Sequence, residues 1–318
     1  MGHVLIVGAG PIGWGTAVRL AEAGHEVIVA TRSGGGPARP GVRRERADAA
    51  DAGAMARLAA GADVVVNAAN PPYTQWPRRW PPIAASLLAA ARRSGAALLT
   101  MSNLYGHGPA HRTVRADTPL DSPGAKGRVR AGMWREAKAA HDAGRVRAAE
   151  VRSGNFFGPG VIDAHMGERV LTRVLAGKAV RVLGAADLAH SFSFVPDVTA
   201  LVAALAAAPA GPAWGRPWLV PSTTTTQREL VHALGEAAGA GVVQVSTVPG
   251  PALAALGLVS PRLRELREVH HQLAAPFVID AADTSAEFGL HPTGLDAACG
   301  ETVAWWRARR RPTALTGR

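Results

Sequence analysis

Three glycines close to the N-terminus, Gly8, Gly10 and Gly13, stand in the run Gly8-Ala9-Gly10-Pro11-Ile12-Gly13. An apolar stretch of strand length (4–7) precedes them and a helical pattern (11–23) follows. At such a junction each glycine has its own task. Gly8 permits the tight turn, Gly10 lets a pyrophosphate approach the backbone, and Gly13 lets the helix pack on the strand. The first helical turn, with Pro11 and Ile12, offers free N–H groups and the positive end of the helix dipole. The spacing therefore predicts a dinucleotide site. NAD enzymes commonly place an acid at the end of the second strand to bond the ribose 2′-OH. This chain has Thr31-Arg32-Ser33 there, followed by three glycines. An arginine fork suits a phosphate, so the expected cofactor is NADP(H), with Thr31, Arg32 and Ser33 around its 2′-phosphate. Asp48 and Ala49 are expected near the adenine; the alternative for Asp48 is to cap the helix that begins near Asp51.

Other residues could meet a substrate. Ser102 and Asn103 end an apolar strand, at the carboxyl edge where such sheets bind ligands. Either can bond a substrate oxygen. Tyr105 is a spare acid, or a packed ring with a satisfied hydroxyl. Tyr73, Trp76 and Trp80 crowd the Pro-rich stretch 70–82. They suit a flat apolar substrate, a subunit contact or plain core packing. His190 is a candidate substrate contact, or a structural histidine.

The elements that must position these residues alternate. Apolar strands at 4–7, 26–30, 63–67 and 97–101 are separated by helical stretches at 11–23, 52–60 and 83–94. Short, fully apolar strands between helices predict a parallel sheet covered on both faces. The fold class is thus α/β, a doubly wound Rossmann sheet. A smaller C-terminal substrate-binding domain is expected. The expected division assigns 1–154 and about 192–224 to the Rossmann domain, 155–191 and about 225–292 to the smaller one, and 307–318 to a basic tail.

Composition narrows the classes. Of 318 residues 47% are apolar, which supports a sizeable core, and the one cysteine, Cys299, cannot form an internal disulfide. No Cys/His spacing suits zinc, so no metal is expected. The net charge of +11 comes almost wholly from scattered arginines, with lysine only at 126, 138 and 178. No basic stripe interleaved with aromatics predicts a nucleic-acid partner, and no apolar stretch is long enough for a membrane span. A cytoplasmic enzyme of a small molecule is expected.

The order of motifs resembles the short-chain dehydrogenase/reductase superfamily, in its extended or atypical, NAD-dependent epimerase/dehydratase-like branches. The matching pieces are the glycine loop, Asp48–Asp51, Asn67-Ala68-Ala69, Ser102-Asn103-Leu104-Tyr105-Gly106, the run 152–160 with Asn155 and Phe156, Phe194-Val195-Pro196-Asp197-Val198 and Phe288-Gly289-Leu290-His291-Pro292. The resemblance implies that Asn67, Ala68, Ala69, Asn155 and Phe156 also line the cofactor. The superfamily usually protonates its substrate with a Tyr followed four residues later by Lys. Here Tyr73 is followed at that spacing by Pro77, and Tyr105 by Pro109. Lys126 takes the tyrosine's place and Arg130 the lysine's. That pair is similar to the isoflavone reductase/NmrA-like branch, where a lysine is the acid/base beside NADPH; the Glu that branch carries one turn further is Trp134 here. An ammonium with a second cation nearby gives up its proton more readily, and residues 126 and 130 share a helix face. Lys126 is therefore the expected acid, or else a ribose ligand.

The expected activity is NADPH-dependent reduction of a carbonyl, imine or activated C=C in a small, aromatic or polycyclic metabolite. The alternatives are a redox-neutral epimerase, dehydratase or cyclase, and a non-catalytic NADP sensor of the NmrA kind. The helices near 83–94 and 129–143 are where relatives often form homodimers.

Overall fold

The computed structural model describes residues 2–248, 268 and 270–310. The first half alternates as β1 His3–Val7, α1 Pro11–Glu22, β2 Glu26–Thr31, β3 Val42–Arg46, α2 Ala52–Ala59, β4 Val64–Asn67, α3 Trp76–Ser94, β5 Ala97–Asn103, the short β6 Thr113–Val114, α4 Ala125–Asp142 and β7 Ala148–Ser153. Then come β8 Asn155–Phe157, α5 Glu168–Val174, β9 Val180–Leu183, β10 His190–Phe194, α6 Val195–Ala207, β11 Pro217–Leu219, β12 Thr223–Thr225, α7 Gln227–Ala237 and β13 Val245–Val248. A short strand Val278–Ile279 and helices Ala282–Phe288 and Leu295–Arg310 follow.

Seven strands form one parallel sheet in the order β11-β7-β5-β4-β1-β2-β3. The chain therefore winds outward from β1 in both directions, which leaves a crevice beyond the carboxyl ends of β1 and β4. Both faces are covered. Leu20, Val198 and Leu201, from α1 and α6, pack on one face, and Met55, Trp80, Leu87 and Trp134, from α2, α3 and α4, on the other. Strands buried on both sides are mainly apolar, and β1 and β4 are so apart from the exposed His3 that opens β1 and the buried Asn67 that ends β4. The edge strand β3 (Val-Arg-Arg-Glu-Arg) is mostly exposed, and polar accordingly.

A second core forms around Phe157, Val170, Leu171, Val182, Phe192, Leu230 and Leu234. Ala298, Cys299, Val303 and Trp306 of the C-terminal helix belong to it. That helix continues to Arg310, so the first residues of the expected tail are helical; residues 311–318 lie outside the described residues. Among the described residues no helix is long and apolar enough to cross a membrane.

The third helix departs from expectation. It starts at Trp76 instead of 83, after a single 3-10 turn at Tyr73–Gln75, and carries Pro81 and Pro82 inside it. Pro77 fits a first turn, but the two inner prolines cannot donate to the preceding turn. What holds the turn is tertiary: Trp76 and Trp80 are buried, and the guanidinium of Arg130 lies 4.5 and 4.2 Å from their ring centres.

Candidate active site

The glycine loop is built as tightly as its spacing implies. Gly8 has φ +110°, and a Cβ there would lie 2.4 Å from the carbonyl oxygen of Ala68. A Cβ on Gly13 would lie 2.0 Å from the oxygen of Gly8. Around Gly10 nothing stands within 4 Å of that position, so its backbone alone is open to a ligand. Pro11 begins α1, where its missing N–H costs nothing. Ala68 donates its N–H to Val7, and Ala69 to the side chain of Asn67, which fixes the floor of the crevice. Gly160, just beyond Asn155 and Phe156, approaches Pro11 so closely that a Cβ would lie 2.7 Å away. The loop after β8 therefore lies against the start of α1. Gly13→Ala must push α1 away from the loop. Nucleotide affinity is expected to fall about five- to hundredfold, the equivalent of the roughly 1–3 kcal/mol that overpacking costs. A fluorescence titration with NADPH checks this, and unchanged binding would show that the close approach is dispensable.

At the other end of the crevice, Thr31, Arg32 and Ser33 line an open cavity together with Arg46. Asp48 does not cap α2; Asp51 does, accepting from Gly53 and Ala54. Asp48 instead accepts the N–H of Ala50 at 3.0 Å.

Lys126 sits in the first turn of α4, only 2% exposed. The helix start packs hard on the loop after β5: a Cβ on Gly127 would be 2.3 Å from the Ser122 hydroxyl and 2.4 Å from the Tyr105 carbonyl. Asn103 shapes that loop by accepting the Tyr105 N–H at 3.1 Å. The Lys126 ammonium lies 4.5 Å from the centre of the Tyr73 ring. Tyr73 meets Tyr105 and Trp76 edge-on at 6.3 and 5.4 Å. Burial raises the pKa of Tyr105 above its ordinary value, against smaller opposing effects of the Tyr73 hydroxyl and the Arg130 charge. Its phenol therefore stays protonated at neutral pH. Ser102 is buried as the penultimate residue of β5.

Here the structure selects among alternatives that the sequence leaves open. Arg130 borders the Lys126 cluster through Trp76, whose ring meets that of Tyr73 at 5.4 Å. Its guanidinium packs on both the Trp76 and Trp80 rings and reaches the Met101 carbonyl at 3.4 Å. Burial lowers its pKa to about 10, so it remains charged. Trp76 is a buried wall, with its indole N–H donated to Pro71, and not an open substrate contact. His190 is wholly buried, with its two ring nitrogens each 2.8 Å from a backbone carbonyl, those of Leu188 and Gln272. Its ring ties β10 to the 272 segment and has no open side for a substrate.

Glu268 escaped the sequence reading. Its carboxylate accepts the backbone N–H of Lys126 at 2.5 Å and stands 3.7 Å from the ammonium. Long-range ties bring its neighbourhood there. Val278–Ile279 pairs with β6, and Gln272 donates to the Leu104 carbonyl. Glu268 stands 142 residues from Lys126 in the chain. No local motif announces it.

Beneath this cluster lies a buried charged layer. Arg152 donates to Glu150 at 2.7 Å, both nearly unexposed, and its guanidinium lies 5.8 Å from the Trp134 ring. His107, fully buried, donates Nδ1–H to the Pro119 carbonyl, and its Nε2 has no partner among the described residues. Burial, and then the Arg152 charge, lower its pKa to about 4. The unfolded chain takes up this proton near pH 6.5, while the folded chain resists until about 4. The stabilisation is complete above pH 6.5 and is lost as pH falls toward 4. At pH 5 the loss should be about 2 kcal/mol relative to pH 7. Urea unfolding at both pH values checks it, and His107→Gln should flatten the slope; an equal slope in that variant would rule the assignment out.

The alternating architecture and this crevice agree with a family model. The model for the NAD-dependent epimerase/dehydratase family matches residues 4–220, more than half of the chain. The chain belongs to that family. No curated protein matches it. Solved structures of epimerase/dehydratase type share its fold over nearly full length. WbmH of Bordetella bronchiseptica, in complex with NAD+, is 19% identical with a TM-score of 0.74, covering 96% of this chain and 99% of its own. DesIV, a dTDP-glucose 4,6-dehydratase of Streptomyces venezuelae, is 22% identical with a TM-score of 0.74, covering 97% and 98%. A UDP-glucuronic acid 4-epimerase of Bacillus cereus in complex with NAD is 14% identical with a TM-score of 0.78, covering 98% and 99%. Within this epimerase/dehydratase-family chain neither tyrosine has lysine four residues on, and the start of α4 presents Lys126 instead.

Proposed function

We propose that the chain is an NADP(H)-dependent reductase of a carbonyl, imine or activated C=C in a small, aromatic or polycyclic metabolite. The observation that carries this reading is the buried ammonium of Lys126, set between the Tyr73 ring and the Glu268 carboxylate. The open backbone at Gly10, the tight contacts at Gly8 and Gly13, and the cavity at Thr31, Arg32 and Ser33 fit a phosphorylated dinucleotide. Asn67, Ala68, Ala69, Asn155 and Phe156 would line it, with Asp48 and Ala49 toward the adenine. Bound NADPH would supply hydride. Lys126 then gives a proton to the substrate atom that gains the electron pair. Glu268 holds the ammonium in place by charge. Ser102 and Asn103 orient the substrate oxygen or nitrogen, and Tyr105, kept protonated by burial, is a second donor. Tyr73 offers the substrate an aromatic face.

The family match favours a second reading, a redox-neutral epimerisation or dehydration. One experiment separates the two. The protein is incubated with NADPH and a panel of aromatic ketones, imines and enones, and deuterium transfer from the labelled cofactor is followed. The reductase reading expects one NADPH oxidised per product, with deuterium in that product. Turnover without net loss of NADPH would establish the second reading instead.

A further inference from the structure

The cavity at the ends of β2 and β3 holds a second cation. Arg46 is the last residue of β3, and its Cα pairs with that of Thr31 across the ladder. The link is reinforced by the Ala47 N–H, which donates to the Thr31 carbonyl at 2.9 Å. Arg32 and Arg46 are both exposed, arise from adjacent strands and line the same cavity with Thr31 and Ser33. The glycine stretch 34–36 lets the chain pass close by. Gly34 has φ +68°, and a Cβ there would lie 3.3 Å from that of Arg46. Farther along, the Arg44 guanidinium donates to the Gly36 carbonyl and pins the loop over the edge strand.

The nearby acids are committed elsewhere. Glu45 pairs with Arg43 at 3.0 Å, and Glu22 pairs with Arg39. Asp48 accepts from the Ala50 N–H. Among the described residues neither Arg32 nor Arg46 has a carboxylate partner. Two guanidiniums turned to one cavity repel each other unless an anion stands between them. Where an acid would receive a ribose diol stands Thr31.

We infer that Arg46 and Arg32 form a two-sided clamp for a phosphomonoester on the adenosine ribose, and that Arg46 selects NADP(H) over NAD(H). This rests on the NADP(H) reading above. A dianionic phosphate offers three oxygens, enough for a fork from each side. One arginine alone would leave the outer oxygens to water.

Calorimetric titrations with NADPH, NADH, adenosine 2′,5′-bisphosphate and adenosine 5′-monophosphate test it in wild type, Arg32→Ala, Arg46→Ala and Arg46→Lys. Wild type should prefer the two 2′-phosphorylated ligands. Arg46→Ala should weaken both by about tenfold or more, the loss of one charge-assisted fork. It should leave NADH and the monophosphate within about twofold, which also shows that the variant is folded. Arg46→Lys should recover part of the loss. Equal losses for all four ligands would reduce Arg46 to a general positive field and overturn the clamp. So would no loss in Arg46→Ala while Arg32→Ala abolishes the preference, an outcome that leaves the NADP(H) reading standing. A wild type with no preference for the 2′-phosphate overturns both.

Discussion

Lys126→Ala is expected to lower turnover by about 10²–10⁴-fold, the usual range for a positioned proton donor, while NADPH affinity changes less than about tenfold. The split between the two readouts is the point. Lys126 begins a helix whose first turn is clamped by Gly127 against Ser122 and Tyr105. Removing the side chain beyond Cβ leaves that packing intact. A lysine that only bonded the ribose would show the reverse pattern, with weakened NADPH and a turnover that recovers at saturating cofactor. Lys126→Arg sharpens the test. Arginine keeps the charge and the donors but does not release a proton, so it should bind NADPH normally and remain slow. Normal turnover in Lys126→Arg would end the proton-donor role. The measurement is kcat and KM for the substrate found in the reductase screen, beside the cofactor Kd.

Glu150→Ala is expected to cost about 3–5 kcal/mol of stability, because it strands a buried charge. Glu150 and Arg152 are 3% and 2% exposed. The Glu150 charge also raises the Arg130 pKa against the larger lowering effect of burial. The substitution would leave two buried cations uncompensated beneath the site. A fall in melting temperature of roughly 10 °C follows for a domain of this size. Glu150→Leu combined with Arg152→Met should regain much of it, because a matched apolar pair removes both desolvation penalties. A drop below about 1 kcal/mol in the single variant would mean that water or rearrangement reaches the pair.

The tryptophans and arginines show how far local pattern reaches. The helical pattern of the sequence starts at 83, yet the helix starts at Trp76, whose buried ring meets that of Trp80 with the Arg130 guanidinium of another helix packed on both. The same contact fixes Arg130 in the aromatic wall beside Lys126. The sequence leaves His190 as a substrate contact or a structural histidine, and two backbone carbonyls holding its ring decide for the second. Arg46 was hidden for the opposite reason: the exposed edge strand β3 carries no apolar period to mark it, so its pairing with Thr31 emerges only in the sheet.

The residues alone determined what depends on neighbours in the chain: the glycine turn, the apolar strands, the helices between them, and the absence of any tyrosine followed four residues later by lysine. Backbone sterics and burial on both faces of a strand act over a few residues, so they are written in short runs. Only the tertiary structure decided which charges meet. Glu268 reaches Lys126 across 142 residues, Glu150 holds Arg152 beneath them, and two strands bring Arg46 beside Thr31. Electrostatic partners are chosen by distance in space and by exclusion of water, and neither quantity has a period that a linear sequence can carry.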